Sequence, residues 1–216
     1  MASERPQIGR RQRTIGRAIN NLVAWAPWLW PVVRRPVRRT FDEMALRWDH
    51  RESAGSAEYL TPLATAVLHV KPAPERALDV GCGTGDGALF LAREFPYASI
   101  RGIDISEEMI GIAQGKIGLD PQGRVAFKVA DASDMPYEDD SFDLVAQVNM
   151  PPFFAEMARV LRPGGYAIVA ASWGDETPFY TPEAVLRRGF EKRGLHTVDS
   201  GDAGAGTYFV ARRPSA

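Results

Sequence analysis

The sequence is poor in the residues that build covalent or metal-held frameworks. It holds one cysteine, Cys82, and three histidines among 216 residues. A single cysteine cannot form an internal disulfide, which excludes a disulfide scaffold and fits a reducing compartment, so we expect a cytoplasmic protein. No cluster of histidine, cysteine and acidic residues has the spacing of metal ligands, and we therefore predict no metal site.

The sequence also lacks an apolar run of membrane-spanning length. Residues 22–33 are apolar, but a bilayer span needs about 20 such residues. The prolines and tryptophans of this stretch are unlike the core of a secretory signal. What remains is a globular composition, 45% hydrophobic and 25% charged, in a chain long enough for one domain with a core of its own.

Charge is unevenly divided along the chain. Residues 1–40 hold nine arginines and one acid, a net of +8, so the other residues carry −9 of the total of −1. This asymmetry predicts a basic, tryptophan-rich arm, residues 1–39, ahead of an acidic domain, residues 40–216. Apolar residues at helical spacing from Ile15 to Ala26 predict a short amphipathic helix inside the arm.

Three interpretations of the arm remain open. It packs on the domain or covers its pocket, or it is a loose tail that can bind a partner. Alternatively, residues 15–39 rest on a membrane, because tryptophans between arginine clusters suit an anionic surface. That interpretation would place the protein peripherally at the inner membrane surface. Nucleic acid is not expected as a partner, since the body of the protein is acidic.

The body shows helices alternating with strands. Thr40-Phe41-Asp42-Glu43 has the capping-box spacing and predicts a helix that starts at Thr40, followed by a second over 57–70, both within an N-terminal part, residues 40–74. In the core, residues 75–216, predicted strands cover 77–80, 99–103, 125–129, 142–148, 166–171, 196–198 and 207–211. This alternation predicts an α/β domain with a mostly parallel sheet and helices on both faces. The last two strands leave no room for a crossover helix and should be antiparallel.

A glycine-rich turn joins the first of these strands to a helix in Asp79-Val80-Gly81-Cys82-Gly83-Thr84-Gly85-Asp86. Glycines let the backbone pass close to a ligand. A nicotinamide-dinucleotide enzyme would use the same architecture, but its fingerprint requires glycine at position 86 and places a pyrophosphate at the helix N-terminus. Asp86 would repel that pyrophosphate, so the sequence disfavours a dehydrogenase.

Two further acids follow the next strands. Asp104 ends the second strand, where an acid can accept both ribose hydroxyls, and Asp131 follows the third, where it could accept a hydrogen bond from an adenine amino group. Each acid alone could equally be a helix cap or a turn residue. Together with the acids of the glycine-rich turn, they lie where open α/β sheets bind ligands.

Four ordered motifs within about residues 75–172 resemble the class I S-adenosylmethionine-dependent methyltransferases, especially the small-molecule branch that includes quinone-biosynthesis enzymes. The motifs are Leu78-Asp79-Val80-Gly81-Cys82-Gly83-Thr84-Gly85, Ile103-Asp104-Ile105-Ser106 with Met109, Asp131-Ala132 with Asp140-Ser141-Phe142-Asp143, and Arg159-Val160-Leu161-Arg162-Pro163-Gly164-Gly165. The resemblance implies a Rossmann-like sheet of seven strands, in which the last inserted strand is antiparallel. It implies S-adenosylmethionine as the cofactor.

The resemblance also assigns the nucleoside half of that cofactor to particular residues. Asp104 is expected to hold the ribose. Ile105 and Met109 are expected to enclose the adenine, and Asp131 with Ala132 to contact its edge.

The methionine half of the cofactor is expected beside Asp79, Gly81, Gly83 and Gly85. Gln147, at the end of the fourth strand, is expected near the reacting methyl group. Cys82 is interpreted as a small packing residue, not a nucleophile.

The segment after the fourth strand departs from many relatives, which carry a longer insertion there. Asn149-Met150-Pro151-Pro152 is similar to the Asn-Pro-Pro-aromatic motif of amino-group methyltransferases, except that Met150 separates the asparagine from the prolines. The alternative is a loop stiffened by its prolines. His50 is the candidate general base, against the alternative of an exposed residue at a helix end.

The acceptor is less clearly encoded than the cofactor. We expect methyl transfer to a small hydrophobic or aromatic molecule, and several aromatic residues could line its pocket: Trp25, Trp28, Trp30, Trp48, Phe153, Phe154 and Trp173. The alternatives are a membrane-soluble acceptor reached from the membrane surface and a non-catalytic S-adenosylmethionine-binding protein. The sequence leaves the oligomeric state open.

Overall fold

Short apolar segments form a seven-stranded sheet in the computed structural model, which describes residues 9–48, 56–119 and 123–215. The strands are β1 (Arg76–Val80), β2 (Ser99–Asp104), β3 (Val125–Val129), β4 (Phe142–Val148), β5 (Leu161–Ala171), β6 (His196–Ala203) and β7 (Gly206–Arg212). Their order is β3-β2-β1-β4-β5-β7-β6. The first five strands are parallel, and β7 is antiparallel to β5 and β6. The predicted fold class is therefore confirmed.

Seven helices in the described ranges surround this sheet. They are α1 (Arg10–Trp25), α2 (Trp30–Trp48), α3 (Ala57–Val67), α4 (Asp86–Glu94), α5 (Glu107–Gly115), α6 (Phe154–Val160) and α7 (Glu183–Glu191). Buried side chains of α3, α4 and α5 pack together on one face of the sheet. Those of α1, α6, α7 and the start of α2 pack on the other face, so both faces are covered as an open parallel sheet requires.

The arm packs on the domain through α1. Gly16 lies so close to the chain that a Cβ built there would be 2.4 Å from the Pro178 carbonyl oxygen. The buried Asn20 amide donates to the Tyr180 carbonyl oxygen at 2.8 Å and to the Thr181 hydroxyl at 2.9 Å. Helix α1 is therefore held by close contact and by buried hydrogen bonds.

The predicted helix start at Thr40 is wrong. Helix α2 begins at Trp30 and continues through Pro36 and Thr40, so the predicted boundary at 39/40 falls inside a helix. The Thr40 hydroxyl donates to the Pro36 carbonyl oxygen at 2.9 Å instead of capping a helix. Pro36 has no backbone N–H and so removes one hydrogen bond from the helix. The burial of apolar residues on one face of α2 compensates for that loss.

Strand β5 also begins earlier than predicted. It starts at Leu161, ahead of the predicted strand over 166–171, and includes the Pro163-Gly164-Gly165 segment. The pairing with β4 shifts register there, and Gly164 has a φ of +82°. The glycine lets the chain bend without leaving the sheet.

The docking of α1 can be tested with Gly16→Leu. The added side chain would collide with the backbone at Pro178, and overpacking of this kind costs about 1–3 kcal/mol. We expect faster tryptic cleavage at Arg13 and Arg17 and a lower free energy of unfolding. Ala18→Leu, an exposed site on the same helix, is the matched control. Equal cleavage rates in the two variants would contradict the packing described here.

Candidate functional site

A cavity that is partly open to solvent, with about 1000 Å³ of empty space, lies at the edge of the sheet where β1, β2 and β4 end. Helix α2 covers it, and α3 and the segment around Phe179 close its sides. Of the residues predicted to hold a cofactor, eight line this cavity: Asp79, Gly81, Gly83, Asp104, Ile105, Met109, Asp131 and Ala132. Gly85 and Gln147 lie behind the lining.

The three glycines of the glycine-rich turn, Gly81, Gly83 and Gly85, share one backbone conformation and differ in their surroundings. All three have positive φ angles, which side chains rarely adopt. A Cβ on Gly81 would be 2.1 Å from the Met150 sulfur, and a Cβ on Gly85 would be 2.7 Å from the ring of Phe127. No atom lies within 4 Å of a Cβ built on Gly83, so the turn leaves open space there.

Asp104 is fixed by backbone donors on both sides. Its Oδ2 accepts from the Gly83 N–H at 3.0 Å and its Oδ1 from the Ser106 N–H at 2.9 Å. Burial raises the pKa of Asp104, and these backbone hydrogen bonds oppose the rise. The Ile105 N–H is a further backbone donor to this carboxylate, whose oxygens together offer about four acceptor positions, so the group keeps acceptor capacity for a ligand.

Asp79 is a buried carboxyl group with spare hydrogen-bonding capacity. It is 2% exposed, and its Oδ2 has no hydrogen-bond partner within the described residues. Burial raises the pKa of Asp79 to about 8, with smaller contributions from Asp104 and Asp86 and an opposing backbone hydrogen bond from Ala88. A ligand cation placed beside it would favour the ionised carboxylate.

The charged side chains that line the cavity are all acidic. Asp86 joins Asp79, Asp104 and Asp131 there, and none of the described lining residues is a lysine or an arginine. Lys116 lies behind Asp86, with its Nζ 2.9 Å from Oδ1. The arrangement favours a cationic ligand over a polyphosphate.

Aromatic side chains form the roof and one wall of the cavity. Trp30, Phe41 and Trp48 come from α2. The ring centroids of Trp30 and Phe153 are 5.1 Å apart in an edge-to-face contact, and those of Phe41 and Phe179 are 6.1 Å apart. The roof and this wall therefore give the cavity an apolar, aromatic side.

The predicted aromatic lining is correct in part. Trp30, Trp48 and Phe153 line the cavity, whereas Trp25 and Trp28 are exposed and Phe154 and Trp173 are buried elsewhere. The prediction missed Phe41, Tyr59 and Phe179. Phe41 lies on the same face of α2 as Trp30, but the sequence predicts this only if the helix is taken to begin at Trp30. Phe179 lies in a loop, where no periodic pattern predicts that it lines the cavity.

The loop after β4 is held by its own side chains. The Asn149 Oδ1 accepts from the Ser172 N–H at 2.8 Å, and its Nδ2 donates to the Ser172 hydroxyl at 2.9 Å. The Gln147 Nε2 donates to the Met150 carbonyl oxygen at 2.8 Å. Both polar atoms of the Asn149 amide are therefore hydrogen-bonded to Ser172, and the Asn-Pro-Pro interpretation is not supported.

Few candidate bases reach the cavity. His50 lies outside the described residues, and its catalytic role stays a prediction. His69 is away from the cavity, with its Nε2 3.1 Å from Asp199 Oδ2, and His196 is exposed on β6. Burial raises the pKa of Cys82, which keeps it a thiol and agrees with its interpretation as a packing residue.

A second cavity of about 690 Å³ adjoins the first. Phe179 belongs to the lining of both, and the second is more polar, with Tyr180, Thr181, Thr207 and Tyr208 in its walls.

The raised pKa of Asp79 makes stability depend on pH. Because the folded state binds this proton more tightly than the unfolded chain, the free energy of unfolding should fall as pH rises from about 4 to about 8, by an amount on the order of a few kcal/mol. Asp79→Asn should remove most of this loss, as measured by urea unfolding at pH 5 and pH 8. Asp134→Asn, at an exposed site, is the control. Parallel pH profiles for wild type and Asp79→Asn would contradict the burial account.

Known proteins are similar to this chain in the region that contains the glycine-rich turn and the acids of the cavity. Residues 77–165 match the family described as a methyltransferase domain. The chain is 39% identical over 131 residues to the ubiquinone/menaquinone biosynthesis C-methyltransferase UbiE of Geotalea daltonii, which covers 56% of this chain and 53% of the relative. It is 41% identical over 108 residues to the methyltransferase GfsG of Streptomyces halstedii, covering 45% and 38% of the two chains. The chain thus spans about half or less of the length of these relatives.

A solved structure agrees at the level of the fold. A crystal structure of a SAM-dependent methyltransferase from Aquifex aeolicus has a TM-score of 0.61 with 20% identity, and the match covers 73% of this chain and 93% of that one. At that identity the likeness shows the fold alone.

Proposed function

We propose that this chain, whose residues 77–165 match a methyltransferase-domain family, is a class I S-adenosylmethionine-dependent methyltransferase that transfers the methyl group of this cofactor to a small, uncharged, apolar or aromatic acceptor. The observation that carries the proposal is the cavity itself. It combines a floor of carboxylates with an aromatic roof, at the sheet edge where the family motif lies.

The residues present fit the cofactor. S-adenosylmethionine supplies a methyl group on a cationic sulfonium sulfur, which activates it for displacement. The remaining acceptor capacity of Asp104 suits neighbouring ribose hydroxyls, and the unpartnered Oδ2 of Asp79 suits an ammonium group.

The remaining predicted residues fit as neighbours of the same molecule. We propose that Ile105 and Met109 enclose the adenine, that Asp131 and Ala132 contact its edge, and that Gly81 and Gly83 lie beside the methionine part. Gly85 and Gln147 would act indirectly, since Gly85 packs on Phe127 and Gln147 holds the Met150 loop.

The acceptor follows from the other half of the lining. The rings of Phe41, Phe153 and Phe179 can hold a flat apolar molecule, and the carboxylates disfavour an anion. The roof helix α2 excludes water and aligns acceptor and methyl group, and alignment of this kind is worth about 7–11 kcal/mol in favourable cases. A longer acceptor could extend past Phe179 into the second cavity.

A phenol or enol carbon needs little help from a base, whereas an alcohol or amine must lose a proton. His50, which follows α2 in the sequence, is our candidate for that proton. A non-catalytic, cofactor-binding role is the alternative. Transfer of a labelled methyl group from S-adenosylmethionine to any acceptor of a phenol and quinol panel would remove it.

Cofactor binding can be tested by calorimetry with S-adenosylmethionine, S-adenosylhomocysteine and NAD. We expect both sulfur nucleosides to bind at micromolar concentrations and NAD not to bind, because its pyrophosphate would meet Asp86 at the N-terminus of α4. Asp104→Asn should weaken binding at least about tenfold through the lost charge-assisted hydrogen bonds. Asp134→Asn should bind like the wild type. A folded protein that binds neither sulfur nucleoside would refute the proposed function.

A membrane-soluble acceptor is a second candidate, favoured by an exposed apolar corner. Where α1 meets α2, the exposed fractions are 50% for Trp25, 72% for Trp28 and 74% for Val32. Arg188 of α7 and Lys192, the residue that follows this helix, lie over the Trp25 ring at 5.3 and 5.9 Å. Apolar tips among cations suit the surface of an anionic bilayer. No helix of the described ranges is long and apolar enough to cross a bilayer.

This corner can be tested without disturbing the cavity. Removal of residues 1–39 would take Trp30 and Val37 out of the lining, so point substitutions are needed. If the corner docks on membranes, the wild type should co-sediment with phosphatidylglycerol vesicles more than with phosphatidylcholine vesicles, and Trp28→Ser with Val32→Ser should lose that binding. Tyr97→Ser, at a site 95% exposed elsewhere, is the control. Unchanged binding in the double variant would dismiss the membrane candidate.

A further inference from the structure

Helix α2, the roof of the cavity, donates hydrogen bonds to Asp131, the acid that is expected to contact the adenine. The Trp30 indole N–H donates to Asp131 at 2.8 Å to Oδ1 and 3.1 Å to Oδ2. The Arg34 guanidinium donates to Oδ2 at 3.2 Å, and the Ser133 N–H donates to Oδ1 at 2.9 Å. One carboxylate therefore receives donors from two helical positions of α2 and from its own loop.

These contacts leave Asp131 with limited capacity. A carboxylate has about four acceptor positions, two on each oxygen. Ser133 and Trp30 fill both positions of Oδ1, and Arg34 fills one of Oδ2, which Trp30 shares at the longer distance. The Trp30 contact with Oδ2 is the longer arm of a bifurcated hydrogen bond, so Oδ2 is the oxygen with the most acceptor capacity left for a ligand, and the orientation of the carboxylate is fixed.

Helix α2 is also attached to the domain by contacts that do not involve Asp131. Farther along α2, the Asp42 Oδ1 accepts from the Ser106 hydroxyl at 2.6 Å, and Arg38 lies 3.1 Å from Glu107 at the start of α5. Helix α2 is thus attached to α5 independently of Asp131. Trp30 and Arg34 act on the one side chain of the cavity that lies next to the expected adenine edge.

We propose that Trp30 and Arg34 are positioning residues for the base of the cofactor, an inference that rests on the proposed function. Together with the Ser133 N–H, they hold the Asp131 carboxylate so that its freest acceptor position, on Oδ2, can receive a single N–H donor. The cavity therefore selects a base that carries an exocyclic amino group and rejects one that carries a carbonyl oxygen at that position.

The inference is tested by calorimetry with S-adenosylhomocysteine and its deaminated analogue, S-inosylhomocysteine. The wild type should bind the deaminated ligand about tenfold more weakly or worse, because a carbonyl oxygen would face the Asp131 carboxylate. Trp30→Phe keeps a ring but removes the N–H donor. This variant should bind S-adenosylhomocysteine roughly three- to tenfold more weakly and the deaminated ligand with nearly unchanged affinity, so the ratio of the two affinities should shrink.

Arg34→Gln guards against a folding defect in Trp30→Phe, because the Arg34 side chain is 47% exposed. It should reduce the preference in the same direction. Arg47→Gln, at an exposed position on the same helix, is the control and should keep the wild-type preference.

A purely structural role for Trp30 and Arg34 would weaken both ligands equally. An unchanged ratio of the two affinities in both variants would therefore overturn the inference while leaving the proposed function intact. If the wild type binds neither ligand, the proposed function fails and this inference fails with it.

Discussion

The carboxylates gathered at the carboxyl edge of the sheet are the feature on which the rest of the site depends. Parallel strands deliver Asp79, Asp104 and Asp131 to one place, and burial of the first two makes their charge costly without a partner. The Gly83 and Ser106 backbone N–H groups hold Asp104, and Trp30 and Arg34 hold Asp131. One oxygen of Asp79 has no hydrogen-bond partner among the residues that the structure describes, and a cationic ligand would satisfy it.

Helix α2 has a different task on each of its faces. Its inner face supplies Trp30, Phe41 and Trp48 to the roof of the cavity, while its first turn and the residues just before it expose Val32 and Trp28. The last part of the basic arm therefore contributes to the candidate site, through Trp30 and Val37. Chemistry at the cavity and any contact of the arm with a surface would be mechanically linked through one helix.

The sequence predicted best those features that depend on neighbouring residues. Apolar runs placed all seven strands, and the glycine-rich turn with Asp104 and Asp131 located the cavity, because each motif lies at a strand end. Long-range contacts were not predictable. The extent of α2 depends on burial of Trp30 and Phe41 against distant elements, and the Trp30–Asp131 hydrogen bond joins residues 101 positions apart. Phe179 enters the lining from a loop that has no periodic pattern.

The acids that line the cavity are proposed to bind the nucleoside and amino-acid ends of one cationic cofactor. A crystal structure of the complex with S-adenosylhomocysteine tests this proposal most directly. The account predicts ribose hydroxyls within hydrogen-bond distance of Asp104, the adenine amino group at Asp131 Oδ2 and the ammonium group near Asp79. A ligand bound outside the cavity, or in the cavity with its adenine away from Asp131, would contradict it.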